Sequence, residues 1–251
     1  MNEFGIDTAF SNYVTQEICD NISFGIYRLT DLGYVGSGTS AYYNKTYIPD
    51  PACLPNMTIT QQNGKSAGMY FFSHAWNEES ARFEANLCCD KLDEWGFRPR
   101  LGVFLDFERL SSSGRIGGYE NLIALGITPT PAVMQSILTG WCTQITQRGY
   151  KAGFYMNGDP IQATTDSWIQ QARFNPSVGS PYFWLAQWAS VNSWDCDIWQ
   201  YSGDQPFYGI DVDYNRAKND RIFSDGSTLP IWLLLKIARG ENKNAKRTVF
   251  L

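Results

Sequence analysis

The residues best suited to do chemistry in this 251-residue chain are Asp106 and Glu108, two carboxylates separated by Phe107 at the end of the run Leu101 to Glu108. Mostly apolar residues lead straight into them, the pattern of a buried strand that ends in acid. Side chains alternate faces along a strand, so both acids are predicted on one face and Phe107 on the other. Carboxylates at that spacing repel, which raises the pKa of the less solvated one and leaves it able to donate a proton near neutral pH. Cleavage of a glycosidic bond asks this of its general acid. A plainer arrangement, with the pair solvated in a loop or held by Arg109, has the same spacing.

Further acids close other predicted strands: Asp7 the first, and Asp211 and Asp213 the eighth. Asp211 and Asp213 share a face by strand period, so spacing does not choose between them. His74 is the sole histidine, which argues against a Ser-His-Asp triad and against a multi-histidine metal site. Neither Gly36-Ser37-Gly38 nor Gly117-Gly118 has the motif or the context of a phosphate-binding loop. Carboxylate acid-base chemistry with no metal and no cofactor is the expectation. Aromatic and amide side chains near the same strand ends would supply the substrate surface, with Tyr70, Tyr155, Trp184 and Gln200 favoured.

Eight short apolar segments are predicted as strands: Phe4 to Asp7, Phe24 to Thr30, Ala67 to His74, Leu101 to Glu108, Lys151 to Asn157, Tyr182 to Trp188, Asp197 to Ser202 and Gly209 to Asn215. Helical periodicity fills earlier gaps, first at Val14 and Ile18, then at Ala81, Ala85, Cys88, Leu92 and Trp95. A third helix has Thr130 as cap, Pro131 in its first turn, an apolar stripe from Val133 to Ile145 and Gly149 at its stop. Asp159-Pro160 opens another by the same rule. Alternating strands and helices imply a parallel sheet, and eight strands favour closure. The last two connections are too short for ordinary parallel crossovers. The fold class expected is therefore α/β, an irregular TIM-like (β/α) barrel with short, loop-joined and partly antiparallel final strands. The connection from Thr30 to Ala67 is long, rich in Gly, Tyr, Pro and Asn, and nearly without periodicity, the mark of a functional loop or a rim elaboration.

Hydrophobic residues make up 43% of the chain and aromatics 15%, more rings than a core needs and suited to stacking on sugars. From Ser224 onward five Lys/Arg face two Asp/Glu, so the preceding body carries −8 of a total charge of −5, which argues against nucleic acid as ligand. Two regions are expected: a barrel over residues 1–223, and a linker, short amphipathic helix and basic tail over 224–251. The basic tail offers a contact for anionic wall polymers, other wall components or another subunit, and its plainer reading is a solvated terminus. No secretory signal is read at Met1 to Asp7, and the longest apolar run, Ile231 to Leu235, is too short to span a membrane. The six cysteines lack metal-ligand spacing and are expected as buried thiols, with one disulfide left open.

With these residues in place, the chain resembles the glycoside hydrolase family 25 muramidases, found in phage endolysins, tail lysins and bacterial autolysins. Phe4-Gly5-Ile6-Asp7 is similar to that family's opening strand, Gly68 to Phe72 to its third, and Leu105 to Glu108 to its Asp-x-Glu signature. Trp199 to Ser202 and Val212 to Asn215 resemble its two closing motifs, and the latter selects Asp213 over Asp211. Phe71 departs from the family, which commonly has His there. The resemblance implies an irregular barrel and hydrolysis of the β-1,4 bond between N-acetylmuramic acid and N-acetylglucosamine in the glycan strands of bacterial peptidoglycan. It implies Glu108 as general acid, supported by Asp106, Asp7 and Asp213. Release through a holin, or carriage on a phage particle, is the delivery it suggests. A catalytically silent barrel serving as a wall-binding or phage-tail module is the rival reading, and a chitin-type hydrolase a third.

Overall fold

A computed structural model describes residues 3–10, 12–31, 47–110, 116–157, 181–192 and 195–223. Eight strands close into a barrel in sequence order. They are β1 Phe4–Thr8, β2 Phe24–Asp31, β3 Ser66–Phe72, β4 Gly102–Phe107, β5 Ala152–Asn157, β6 Tyr182–Ala186, β7 Ile198–Phe207 and β8 Ile210–Ala217. Between them run α1 Gln16–Asp20, α2 Cys53–Gln62, α3 Glu78–Trp95, α4 Gly118–Ala124 and α5 Pro131–Gln147.

Neighbours from β1 through β7 pair in parallel, and β8 is antiparallel to both β7 and β1. The irregularity expected at the end of the chain is thus confined to one strand. β7 runs on to Phe207, further than its apolar run suggested, and turns into β8 through Tyr208 and Gly209 alone. Both turn residues have positive φ, 47° and 87°, as a two-residue hairpin requires.

Strand alternation sorts the core into two layers. Phe24, Ile26, Tyr70, Phe104, Tyr155, Trp184 and Ile198 pack in one cluster inside the ring. Their neighbours Phe71, Val103, Leu105, Phe107, Phe154, Phe183 and Leu185 pack outward with Cys88, Leu92, Trp141 and Ile145 of the helices. Thr130 caps α5 through its side chain, with Pro131 in the first turn. Asn77 and Ser80 form a reciprocal capping box at α3, and Gly96 ends that helix in the left-handed conformation.

Two helices escaped the periodicity reading. α2 lies in the second half of the connection from Thr30 to Ala67 and buries Asn56 and Thr60 beside Cys53 and Met57. Asn56 accepts from the Val14 N–H at 2.8 Å and donates to Asn12 O at 2.8 Å, and Thr60 lies 2.7 Å from the Tyr27 hydroxyl. Polar residues with buried partners hide the apolar stripe. α4 is short and opens at the Gly117-Gly118 pair. All six cysteines are buried thiols. The helix expected from Asp159-Pro160 and the region 224–251 fall outside the described residues.

Candidate active site

The end of β4 behaves as its alternation dictates. Phe107 is fully buried in the outer layer, whereas Asp106 and Glu108 both line a cavity of about 310 Å³ at the C-terminal mouth of the barrel. Asp7 and Asp213 line the same cavity, as do Tyr70, Phe72, Phe10, Arg28, Asp204 and Asp211. All four acids proposed from the sequence therefore meet at one mouth, the end where barrel enzymes carry their chemistry.

Asp106 and Glu108 stand close enough at the end of β4 for each carboxyl to oppose ionisation of the other. Burial is the larger cause that pushes the Asp106 carboxyl well above its usual range, and the charge of Glu108 adds to it. Oδ1 of Asp106 is a buried acceptor with no hydrogen bond among the described residues. Glu108, past the end of the strand, is less buried and receives Asn157 Nδ2 at 3.5 Å. Arg109 does not hold the pair: its guanidinium lies 4.9 Å from the centre of the Tyr119 ring.

Asp7 and Asp213 form the second pair. Burial, then the neighbouring Asp213, raise the Asp7 carboxyl well above its ordinary value, while amides from Asn215 and Gln200 pull the other way. Burial pushes Asp213 up to about 6, against the Asp204 N–H, which donates to Oδ1 at 2.7 Å. Asp211 also lines the cavity, but it is exposed and its backbone carbonyl takes Asn12 Nδ2 at 2.9 Å.

Of the four substrate-surface candidates, Tyr70 lines the cavity, while Tyr155, Trp184 and Gln200 lie beneath it. Tyr155 OH and Trp188 Nε1 both donate to Gln200 Oε1 at 3.2 Å. Gln200 Nε2 then donates to Asp7 Oδ2 at 2.9 Å and to Asp213 Oδ2 at 3.1 Å. In parallel, Trp184 Nε1 donates to Asn215 Oδ1 at 2.8 Å, and Asn215 Nδ2 donates to Asp7 Oδ2 at 2.6 Å. Donors on the oxygen side of each amide fix which way it points, so both NH₂ groups face the acids. These residues position the carboxylates. Asn215 was legible by period, two places beyond Asp213 on the same face. Its partner Trp184 was not, because the contact is tertiary.

His74 is buried, with Nε2 3.0 Å from Ile116 O and its backbone N–H on Glu84 Oε1 at 2.9 Å. That is a structural role for the β3–α3 turn. Gly117 and Gly118 belong to the site in an unforeseen way. A Cβ on Gly117 would lie 2.4 Å from the Glu108 carbonyl oxygen, and one on Gly118 2.4 Å from the Phe107 ring. Both glycines let α4 close against the end of β4, where the Tyr119 N–H donates to Glu108 O at 3.1 Å. No group of residues suited to hold a metal ion occurs among those described.

A closed barrel with paired carboxylates in one mouth cavity is the construction of a glycoside hydrolase. The chain belongs to the glycosyl hydrolases family 25, whose family model matches residues 36–210. The match takes in Asp106 and Glu108 and leaves Asp7 and Asp213 outside, where barrel closure supplies them. The spore cortex lytic enzyme SleM of Clostridium perfringens is similar in fold, with a TM-score of 0.62 and 16% identity over 86% of this chain and 67% of that one. The modular autolysin LytC of Streptococcus pneumoniae has a TM-score of 0.61 at 16% identity over 86% of this chain, which spans 46% of that protein. The catalytic domain of endolysin ply40, from a bacteriophage of Listeria monocytogenes, has a TM-score of 0.58 at 18% identity over 88% and 96% of the two chains. No match was found among curated proteins.

Proposed function

We propose that the chain is an N-acetylmuramidase, a lysozyme that cuts the β-1,4 bond between N-acetylmuramic acid and N-acetylglucosamine in bacterial peptidoglycan. The observation that carries this reading is the convergence of Asp106, Glu108, Asp7 and Asp213 on one cavity at the barrel mouth. Family membership gives the substrate class, and the pneumococcal autolysin has been seen in complex with a synthetic peptidoglycan ligand.

In this reading Glu108, the less buried member of its pair, passes its proton to the leaving glycosidic oxygen. Asp106 behind it keeps that proton on the pair until sugar arrives, because two ionised carboxylates in contact are costly. Asp7 and Asp213, held by Gln200 and Asn215, face the positive charge that develops at the anomeric carbon and orient the acetamido group or the attacking water. Participation of the substrate's own acetamido group, with retention of configuration, is the proposed route. Delivery is of the phage type, by holin release or on the particle.

Glu108→Gln keeps the shape and removes the transferable proton. It is expected to abolish release of reducing ends from purified cell walls with an unchanged circular dichroism spectrum. A variant that digests walls at the parental rate removes Glu108 from the role. Mass spectrometry of the products identifies the bond cut.

A further inference from the structure

Two large rings stand in solvent at the mouth, against the tendency of such groups to be buried. Phe10 is 65% exposed and Trp188 64%. Each is held in place by contacts that leave most of its surface exposed.

Phe10 follows β1 and takes a left-handed φ of 47°, a conformation that costs a non-glycine residue about 1 kcal/mol or more. Its N–H donates to Asp50 Oδ2 at 2.5 Å, and its ring rests on the Arg28 guanidinium, 3.5 Å from the ring centre. The ring lines the acid cavity. Trp188 lies two residues beyond β6 with its indole N–H on Gln200 Oε1. Its six-membered ring lies against Gly203 so closely that a Cβ there would meet Cζ2 at 2.2 Å. The ring is thus packed on the β7 backbone at Gly203 while most of its surface stays in solvent.

Around the barrel, Gly203 is on β7 and Arg28 on β2, while Asp213 on β8 and Asp7 on β1 lie between them. The two rings therefore flank the acid pair, one strand to each side. Pyranose rings present flat faces of C–H groups that pack on the electron-rich faces of aromatic rings. The acids between the rings can accept hydrogen bonds from the hydroxyl and acetamido N–H groups of a chain of N-acetylated sugars. We propose that Phe10 and Trp188 are two stacking platforms of an extended saccharide cleft, which seat separate sugar rings of one β-1,4-linked N-acetylhexosamine chain across the Asp7–Asp213 pair. The inference rests on the muramidase reading and adds to it the residues that set substrate length.

The test uses the Glu108→Gln protein, which cannot turn over its ligand, titrated calorimetrically with a soluble β-1,4-linked hexamer of N-acetylglucosamine. Phe10→Ala and Trp188→Ala are each expected to weaken binding roughly tenfold, within the range for one aromatic contact, and together by the product. Trp188→Phe keeps a ring and is expected to retain most of the affinity, which a purely structural tie through the indole N–H would not allow. Near-ultraviolet spectra and melting temperatures check that each variant folds. Single variants that bind like the parent, or a hexamer that the parent does not bind, overturn the platforms. Failure of the muramidase reading shows separately, as wild-type protein that releases no reducing ends from walls.

Discussion

Asp7 on β1 and Asp213 on β8 stand directly opposite each other across an antiparallel ladder, and the single side-chain amide of Gln200 donates to both. Two carboxylates so placed repel, and the amide is one of the groups that make the arrangement tolerable. Gln200→Ala removes both donations, strips Asp213 Oδ2 of its amide and strands the buried Tyr155 hydroxyl, which costs about 1–3 kcal/mol. It also frees the two acids to move, and a displacement of an ångström at a reacting centre costs on the order of 100-fold in rate. The expected outcome is a lower melting temperature at pH 7 and a large fall in kcat on cell walls. Gln200→Glu, which adds a further acid, should be worse on both counts. A variant with parental stability and rate would show that the amide is not what holds the pair.

The raised Asp213 carboxyl makes a stability prediction with a definite sign. Between its ordinary value of 3.8 and about 6, the folded protein keeps a proton on this group that the unfolded chain has given up. The contribution of Asp213 to stability therefore falls as pH rises through that window. Asp213→Asn keeps an acceptor for the Asp204 N–H and has nothing to ionise. Thermal melts should show the variant close to the parent near pH 4 and more stable than the parent at pH 7, while its wall-digesting activity is low. A parent that gains stability on Asp213 as pH rises from 4 to 6 would contradict the burial argument.

Much of this was legible before the fold. Short apolar runs located all eight strands, and strand period put Asp106 and Glu108 on one face with Phe107 behind them. The brevity of the last connections led to the antiparallel β8, although the 11 residues from Gln187 to Asp197 still join a parallel pair. The amide relays were not legible. Trp184, Tyr155 and Gln200 read as a sugar surface because aromatics at strand ends commonly are one, yet their donors are spent on amides that orient acids from other strands. α2 was hidden because its buried face carries Asn56 and Thr60, whose hydrogen bonds to β2 and to the β1–α1 loop cannot be seen from spacing. Gly117-Gly118 carries no phosphate-loop motif, and what it does is let one chain segment approach another, which spacing does not show.

That close approach separates stability from activity at two adjacent residues. A Cβ on Gly118 meets the ring of Phe107, which is fully buried in the outer layer and has nowhere to go. Gly118→Ala should therefore act as overpacking, with a loss of about 1–3 kcal/mol and a modest effect on rate. A Cβ on Gly117 instead meets the backbone oxygen of Glu108. Relief there requires the β4 end to shift, and the carboxyl that donates the proton shifts with it. Gly117→Ala should lower kcat more than Gly118→Ala does, for an equal or smaller drop in melting temperature. Paired measurements of melting temperature and reducing-end release on the two variants decide it. If Gly118→Ala proved the more damaging to kcat at equal stability, the position of Glu108 would not depend on how α4 docks.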